Sequence, residues 1–213
     1  MMKPRILIAD DHSILVAGLK KLVEEACEVV GTVEDGRALI EAAERLKPDL
    51  ILLDISMPLL NGLDAARQLK KLVPDSKLLF LTMHSSPTYA TEAFKAGANG
   101  YLLKQSAASE LPNAIAAVLR GQTYLTPAIT REVLETALQP ALRQSLSALT
   151  PRQREVLQLI AEGKGTKEVA TILNVSVKTV EFHKGRLMEQ LDLHSTPALI
   201  KFAIAEGLVN AEI

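Results

Sequence analysis

The chain of 213 residues has no tryptophan, one cysteine and only 3% aromatic residues. The single cysteine, Cys27, excludes an intrachain disulfide framework and fits a reducing compartment. No apolar run approaches the roughly 18 residues of a membrane-spanning helix, and the first residues lead directly into a strand pattern. We therefore expect a cytoplasmic protein with an aliphatic core, without a signal peptide or a membrane contact.

An excess of charge of either sign is also missing, since the net charge is −1. Residues 1–125 hold 14 basic and 15 acidic groups, and residues 126–213 hold 10 of each. Any binding to nucleic acid must therefore come from locally placed charges. The length exceeds the usual domain size of about 100–150 residues, which favours two domains.

Short apolar runs alternate with amphipathic stretches in residues 1–125. The runs predict strands at 5–9, 28–33, 50–53, 77–81 and 100–103, and the stretches predict helices at 13–26, 36–46, 62–72, 88–96 and 111–120. This alternation is typical of an α/β domain with right-handed crossovers. We expect a doubly wound, five-stranded parallel sheet with helices on both faces.

The strand pattern ends after residue 121, and the rest of the chain is predicted to be helical. Residues 126–148 form a predicted helical linker with one helix at 128–138. Residues 149–213 form a predicted all-α domain with helices at 151–162, 166–173, 177–191 and 196–206. A capping box from Thr150 to Gln153, with Pro151 at the first helical position, opens the first of these four helices.

Polar residues stand at the carboxyl ends of four predicted strands. Asp10 and Asp11 follow the first strand and Asp54 follows the third. The carboxyl ends of parallel strands meet at one edge of the sheet, where ligands gather. Carboxylate oxygens suit Mg²⁺, and a backbone carbonyl near Ser56 offers a further oxygen.

The same edge has the groups needed for phosphoryl transfer. Asp54 is a candidate nucleophile, Lys104 a source of positive charge and the hydroxyl of Thr82 a hydrogen-bond donor. Taken singly, each has an ordinary alternative: an aspartate can cap a helix, a lysine can be solvated and a threonine can fill a strand. The combination of four suitable strand ends favours the functional interpretation.

These residues resemble the receiver domain of two-component response regulators. The matching stretches are IADDH at 8–12, DISMP at 54–58, LT at 81–82 and GYLLK at 100–104. The resemblance implies a flavodoxin-like fold that binds Mg²⁺ and takes a phosphoryl group from a histidine kinase onto Asp54. It implies Asp10 and Asp11 as metal ligands, and Thr82 and Lys104 as phosphoryl contacts.

The resemblance also implies a switch at Tyr101, whose ring turns inward when Thr82 moves toward the phosphoryl group. Alternatively, Tyr101 is simply a half-buried aromatic residue of the strand. The bulky side chain of Met83 can restrict access to Asp54 or the inward movement of the Tyr101 ring. Ser56 and His84 border the predicted approach of the dephosphorylating water, although His84 is equally well explained as a loop residue.

Residues 166–191 have the spacing of a helix-turn-helix, with Val180, Leu187, Met188, Leu191 and Val177 on the inward side of the second helix. The candidate DNA contacts on the outward side are Lys178, Thr179, Glu181, Phe182, Lys184, Gly185 and Arg186. The basic groups and Thr179 suit phosphates, and Glu181 suits cytosine or the rejection of other bases.

Two of these residues are unusual in an outward-facing helix. Phe182 suits a thymine methyl group, or else packs against a neighbouring helix. Gly185 costs about 1 kcal/mol relative to alanine, and either permits close approach of DNA or is merely tolerated.

Residues 149–209 resemble the LuxR-type helix-turn-helix domain through LTPRQREVL at 149–157, SVKTV at 176–180 and His183. Gly165 and Thr166 depart from the asparagine that commonly precedes the Lys-Glu pair. With the receiver, this is the architecture of the NarL/FixJ response regulators, which implies a phosphorylation-dependent homodimer on promoter half-sites.

Two other functions are compatible with parts of the sequence. An aspartate-nucleophile phosphohydrolase usually has a second acid two residues after the nucleophile, and Ser56 at that position argues against turnover. The other alternative is a regulator that binds DNA without phosphorylation and uses its receiver as a protein-interaction module. The complete set of pocket residues argues against it: Asp10, Asp11, Asp54, Thr82 and Lys104. A phosphorylation-switched transcription regulator, and not an enzyme, is the favoured interpretation.

Overall fold

The computed structural model describes residues 3–137 and 149–209. The chain folds into two compact units, and the first unit is built on a parallel sheet. Its strands lie in the order β2-β1-β3-β4-β5-β6, and each pair of neighbours is parallel. The strands are β1 Arg5–Ala9, β2 Glu28–Val33, β3 Leu50–Leu53, β4 Lys77–Thr82, β5 Gly100–Leu103 and β6 Tyr124–Leu125. The strand order changes direction between β1 and β3, so the carboxyl ends of these two strands flank a crevice.

Five helices connect these strands and cover both faces of the sheet: α1 Ser13–Val23, α2 Gly36–Leu46, α3 Gly62–Leu72, α4 Pro87–Lys95 and α5 Ala107–Leu119. Helices α1 and α5 pack together over one face, while α3 packs against α2 and α4 over the other. The central strands are buried on both sides, which explains why they are apolar throughout. The predicted doubly wound α/β class is confirmed.

The sheet has one strand more than the five that the sequence predicted. Strand β6 consists of two residues, too few to produce a periodic pattern, and it pairs with β5. The next residue, Thr126, is fully buried. Its hydroxyl accepts a hydrogen bond from the backbone N–H of Leu103 at 3.0 Å, and its own N–H donates to the carbonyl of Tyr101 at 3.0 Å. Thr126 and β6 therefore provide hydrogen-bond partners for backbone groups on the outer edge of β5.

Two helix boundaries differ from the prediction by more than one residue. Helix α1 ends at Val23, and Ala26, which was predicted to lie on its apolar side, is exposed. Helix α5 begins at Ala107 and not at residue 111, because the buried side chains of Ala107 and Leu111 continue one apolar face. Pro112 consequently lies inside the helix, where it lacks the N–H for one backbone hydrogen bond.

Helix α6, Pro127–Ala137, packs against α4 of the first unit. Ile129 and Val133 of this helix are buried. It corresponds to the helix predicted at 128–138, and residues 138–148 of the predicted linker lie outside the described residues. The boundaries of the linker at 126 and 148 stay predictions.

The second unit contains the four predicted helices, α7 Pro151–Ala161, α8 Thr166–Ile172, α9 Val177–Gln190 and α10 Thr196–Ala205. Helix α7 packs against α9 and α10, and α8 packs against α9. Their shared core includes Val156, Val169, Val180, Leu187 and Leu199. Residues 210–213 of the predicted domain lie outside the described residues. None of the helices in the described part of the chain has the length and apolar character needed to cross a bilayer.

Candidate functional site

Three predicted carboxylates meet at the carboxyl edge of the sheet. Asp10 follows β1 and Asp54 follows β3, and both are almost fully buried, whereas Asp11 is exposed. Potential ligand atoms of these three residues and of His12 all lie within 4.8 Å of one another. The fold thus places the acidic groups close enough to share one cation.

Lys104 follows β5 and reaches into this acidic cluster. Its Nζ lies 2.7 Å from Oδ2 of Asp54 and 2.8 Å from Oδ2 of Asp10. Burial by itself lowers the pKa of the Lys104 ammonium, but the charge of Asp54 and the hydrogen bonds to both carboxylates outweigh burial and raise that pKa. The lysine is therefore held as a cation between two carboxylates.

The carboxyl group of Asp54 is in a less favourable setting for its charge. Burial raises its pKa, and the neighbouring charge of Asp10 acts in the same direction. Lys104 and a hydrogen bond from Thr82 act against this rise without cancelling it. Oδ1 also accepts a hydrogen bond from the N–H of Ile55 at 2.6 Å. Added positive charge near Asp54 would therefore stabilise its carboxylate.

Gly62 is a residue of this site that sequence reasoning missed. A Cβ at Gly62 would lie 1.9 Å from the backbone oxygen of Asp54 and 2.9 Å from its backbone carbon. The N–H of Gly62 donates to the carbonyl of Ile55 at 2.8 Å, and Asn61 caps α3 by accepting from Asp64. The Asn-Gly pair before an amphipathic stretch signals a helix start, but the sequence does not reveal the closeness to Asp54.

His12 was also missed, although it directly follows the aspartate pair. Its Nδ1 lies 3.0 Å from Oδ1 of Asp10 and 2.9 Å from Oδ1 of Asp11. The oxygen-rich cluster fits a hard divalent cation. The side chain of Ser56 is hydrogen-bonded to Nε2 of His84 at 2.8 Å, which leaves the backbone carbonyl as the predicted oxygen there.

Thr82 and Tyr101 are joined through the backbone of His84. The N–H of His84 donates to the Thr82 hydroxyl at 3.3 Å, and the Tyr101 hydroxyl donates to the His84 carbonyl at 2.7 Å. The ring of Tyr101 is fully buried, so it already occupies an inward position, and burial raises the pKa of its phenol. Met83 is 71% exposed and leaves that inward position free for the ring.

The outward face of α9 contrasts with this buried site. Most of the predicted DNA contacts are exposed, namely Lys178, Glu181, Phe182, Gly185 and Arg186, while Thr179 and Lys184 are half-buried. Val180 and Leu187 are buried, in agreement with the predicted inward side. Val177 was placed on that side wrongly, since it is 38% exposed at the first position of α9.

Local hydrogen bonds fix where α8 ends and α9 begins. Asn174 adopts a left-handed conformation with φ of 51° between the two helices. Ser176 then caps α9 by accepting from the N–H of Thr179, and the two hydroxyl groups lie 2.8 Å apart. Before α8, Glu168 accepts from the N–H of Gly165 at 2.8 Å, so the unusual glycine still permits a capped helix start.

Comparison with known proteins agrees with this arrangement. Residues 6–116 match the response regulator receiver domain family, and residues 147–203 match the family of bacterial regulatory proteins, luxR family. The chain is 35% identical to the oxygen regulatory protein NreC of Staphylococcus carnosus, over 97% of this chain and 99% of that protein.

Two solved structures are similar over nearly the whole chain. The RcsB response regulator of Salmonella typhimurium is 32% identical, with a TM-score of 0.66 over 96% of this chain and 98% of that chain. RcsB from Salmonella enterica serovar Typhimurium, bound to promoter P1flhDC in the presence of phosphomimetic BeF3-, is 32% identical, with a TM-score of 0.60 over 94% and 97%. The chain therefore belongs to the NarL/FixJ family of two-component response regulators, which are transcription regulators and not enzymes.

Proposed function

We propose that this response regulator accepts a phosphoryl group on Asp54 from a sensor histidine kinase, and that phosphorylation controls its sequence-specific binding to double-stranded DNA. The observation that carries the proposal is the position of Asp54, buried beside Lys104 and within reach of the Asp10 and Asp11 carboxylates. The proposed partners, a sensor histidine kinase and double-stranded DNA, imply a cytoplasmic location.

In the proposed transfer, a carboxylate oxygen of Asp54 forms a bond to phosphorus as the bond between phosphorus and the donor breaks. Asp10, Asp11, Asp54 and the carbonyl of Ser56 would hold Mg²⁺, which supplies positive charge for the phosphoryl oxygens. Lys104 supplies a second positive charge, since it already contacts Asp54.

Phosphorylation adds between about 1.5 and 2 negative charges and three acceptor oxygens at Asp54. Thr82 and Lys104 can both donate to these oxygens. Because the Thr82 hydroxyl accepts from His84, and Tyr101 donates to the same residue, a shift of Thr82 changes the position of the loop that holds the tyrosine. Moving the chain from mostly inactive to mostly active requires about 5 kcal/mol of preference for the active state.

The DNA contacts come from α9, which enters the major groove. Lys178, Lys184 and Arg186 neutralise phosphates, Thr179 contacts the backbone and Glu181 accepts from cytosine or rejects other bases. The part of the chain after residue 125 has no net charge, so one copy binds DNA weakly. A phosphorylated homodimer on adjacent promoter half-sites gains affinity through effective concentration.

A binding titration with and without phosphorylation tests this proposal. The full chain is incubated with Mg²⁺ and a small phosphodonor, and its affinity is measured for duplexes that it selects from a random pool. We expect the donor to tighten DNA binding of the unchanged protein and of Asp75→Ala, which alters an exposed aspartate, but not of Asp54→Ala. Equal binding by all three proteins would favour regulation without phosphorylation.

A further inference from the structure

We propose that α9 recognises a thymine through contact of the Phe182 ring with its methyl group, and that Gly185 leaves room for that base pair to approach the helix backbone. The inference rests on the proposed DNA binding and specifies one base that the protein reads. It is carried by three properties of neighbouring positions on α9.

The first property is the exposure of Phe182. Its side chain is 59% exposed, so the hydrophobic core of the second unit does not account for it. A single exposed apolar side chain is common and would not by itself indicate a partner. The neighbouring positions, however, restrict what this ring can contact.

The second property is the way the ring is held. The guanidinium carbon of Arg186 lies 5.7 Å from the ring centroid, and the His183 ring packs edge-on at 5.6 Å. Both contacts come from α9 itself, and neither covers the ring completely. Arg186 thus places a cation beside an apolar surface, as suits a ligand that presents a methyl group next to phosphates.

The third property is the open space beside Gly185. A Cβ at this position would have no atom within 4 Å, so the fold itself gives no reason for glycine. Glycine inside a helix nevertheless costs about 1 kcal/mol relative to alanine. Because residues three and four apart are neighbours on a helix, Gly185 lies beside Phe182 on the exposed side. The smaller residue allows an external surface to reach the backbone.

Double-stranded DNA fits these properties through both charge and shape. The major groove is about 12 Å wide, close to the diameter of a helix with its side chains, so removal of one side chain decides how deeply α9 enters. Thymine is the base that presents a methyl group in this groove. A phenyl ring beside a small residue is therefore suited to read thymine.

Replacement of thymine by uracil tests the inference, because it removes only the methyl group. The phosphorylated full chain is first used to select duplexes from a random pool, and each thymine of the selected duplex is then replaced singly. At one position in each half-site, we expect binding of the unchanged protein to weaken about fourfold, equivalent to about 0.8 kcal/mol for one buried methyl group.

Three variants complete the experiment. Phe182→Ala should bind the thymine and uracil duplexes equally, whereas Val177→Ala, another exposed apolar residue of α9, should keep the fourfold preference. Gly185→Ala should bind the selected duplex at least tenfold more weakly, although it folds normally.

The outcomes separate this inference from the proposed function. If no duplex is enriched, DNA binding itself is wrong and both fall. If duplexes are enriched but no thymine position prefers the methyl group, or if Phe182→Ala keeps that preference, the thymine contact alone is overturned.

Discussion

The residues of the acidic pocket are held by contacts with other parts of the first unit, whereas the residues on the outward face of α9 are largely exposed to solvent. In the pocket, Asp54 is held by hydrogen bonds from Lys104, from Thr82 and from the backbone N–H of Ile55. On α9, Phe182 and Gly185 face solvent, and the fold places no atom close to where a side chain at Gly185 would begin. A substitution in the pocket should therefore change stability and function together, while a substitution on α9 should separate them.

The two glycines show this difference most clearly. Both lie in helices, and alanine has the higher helix propensity at each position. At Gly62 the added methyl group would overlap a backbone carbonyl, and at Gly185 it would meet nothing. The same substitution is therefore expected to have opposite effects on the stability of the two units.

The largest effect is expected for Gly62→Ala. The backbone oxygen of Asp54 cannot move away without disturbing the end of β3, so the variant should lose about 3 kcal/mol of unfolding free energy. The three tyrosines, at positions 89, 101 and 124, all lie in the first unit and the chain has no tryptophan, so tyrosine fluorescence in urea reports this unit. Unchanged stability would mean that the loop after Asp54 adapts easily.

Thr126→Val should have the next largest effect. It keeps the shape of the side chain but removes the acceptor for the buried N–H of Leu103, at a cost of about 2 kcal/mol. Tyrosine fluorescence measures this loss as well. Thr88→Val, at a half-buried position on α4, is the control and should lower the free energy of unfolding by less than half as much. Equal losses in the two variants would show that the hydrogen bond from Leu103 to Thr126 does not contribute the expected stability.

Asp54→Asn is expected to stabilise the unphosphorylated protein. Because burial raises the pKa of Asp54 in the folded state, its ionisation opposes folding as pH rises from the unfolded-state pKa through the folded-state pKa. The variant should therefore be more stable than the unchanged protein at neutral pH, and the gain should vanish at lower pH, where Asp54 is protonated in both states.

Millimolar Mg²⁺ provides the control for Asp54→Asn. The cation should stabilise the unchanged protein more than the variant and so narrow the difference between them. A variant that is less stable at neutral pH would show that the ion pair with Lys104 outweighs the cost of burial.

Gly185→Ala is expected to have the smallest effect on stability and the opposite sign to Gly62→Ala. The second unit should gain up to about 1 kcal/mol, because helix propensity improves without a steric clash. Thermal unfolding followed by circular dichroism measures this gain, which should accompany the loss of DNA affinity described above. A loss of stability would contradict the open space at this position.

Sequence patterns predicted the fold class well because the central strands are buried on both faces and the helices have one apolar side. The capping box at Thr150 likewise marks a helix start through local chemistry alone. Strand β6 was missed because two residues carry no period. The start of α5 was predicted four residues too late, because the burial of Ala107 in the folded domain is not visible in the local pattern. These errors arise where tertiary contacts outweigh local signals.

The sequence by itself determined that acidic, hydroxyl and ammonium groups end neighbouring strands, because parallel strands bring their carboxyl ends to one edge. Only the tertiary structure decided that Lys104 bridges Asp10 and Asp54, that Tyr101 lies inward and that Gly62 abuts Asp54. Those contacts join residues far apart in the chain, and their distances depend on how the helices pack on the sheet. Local patterns specify which groups reach an edge, whereas packing specifies which of them touch.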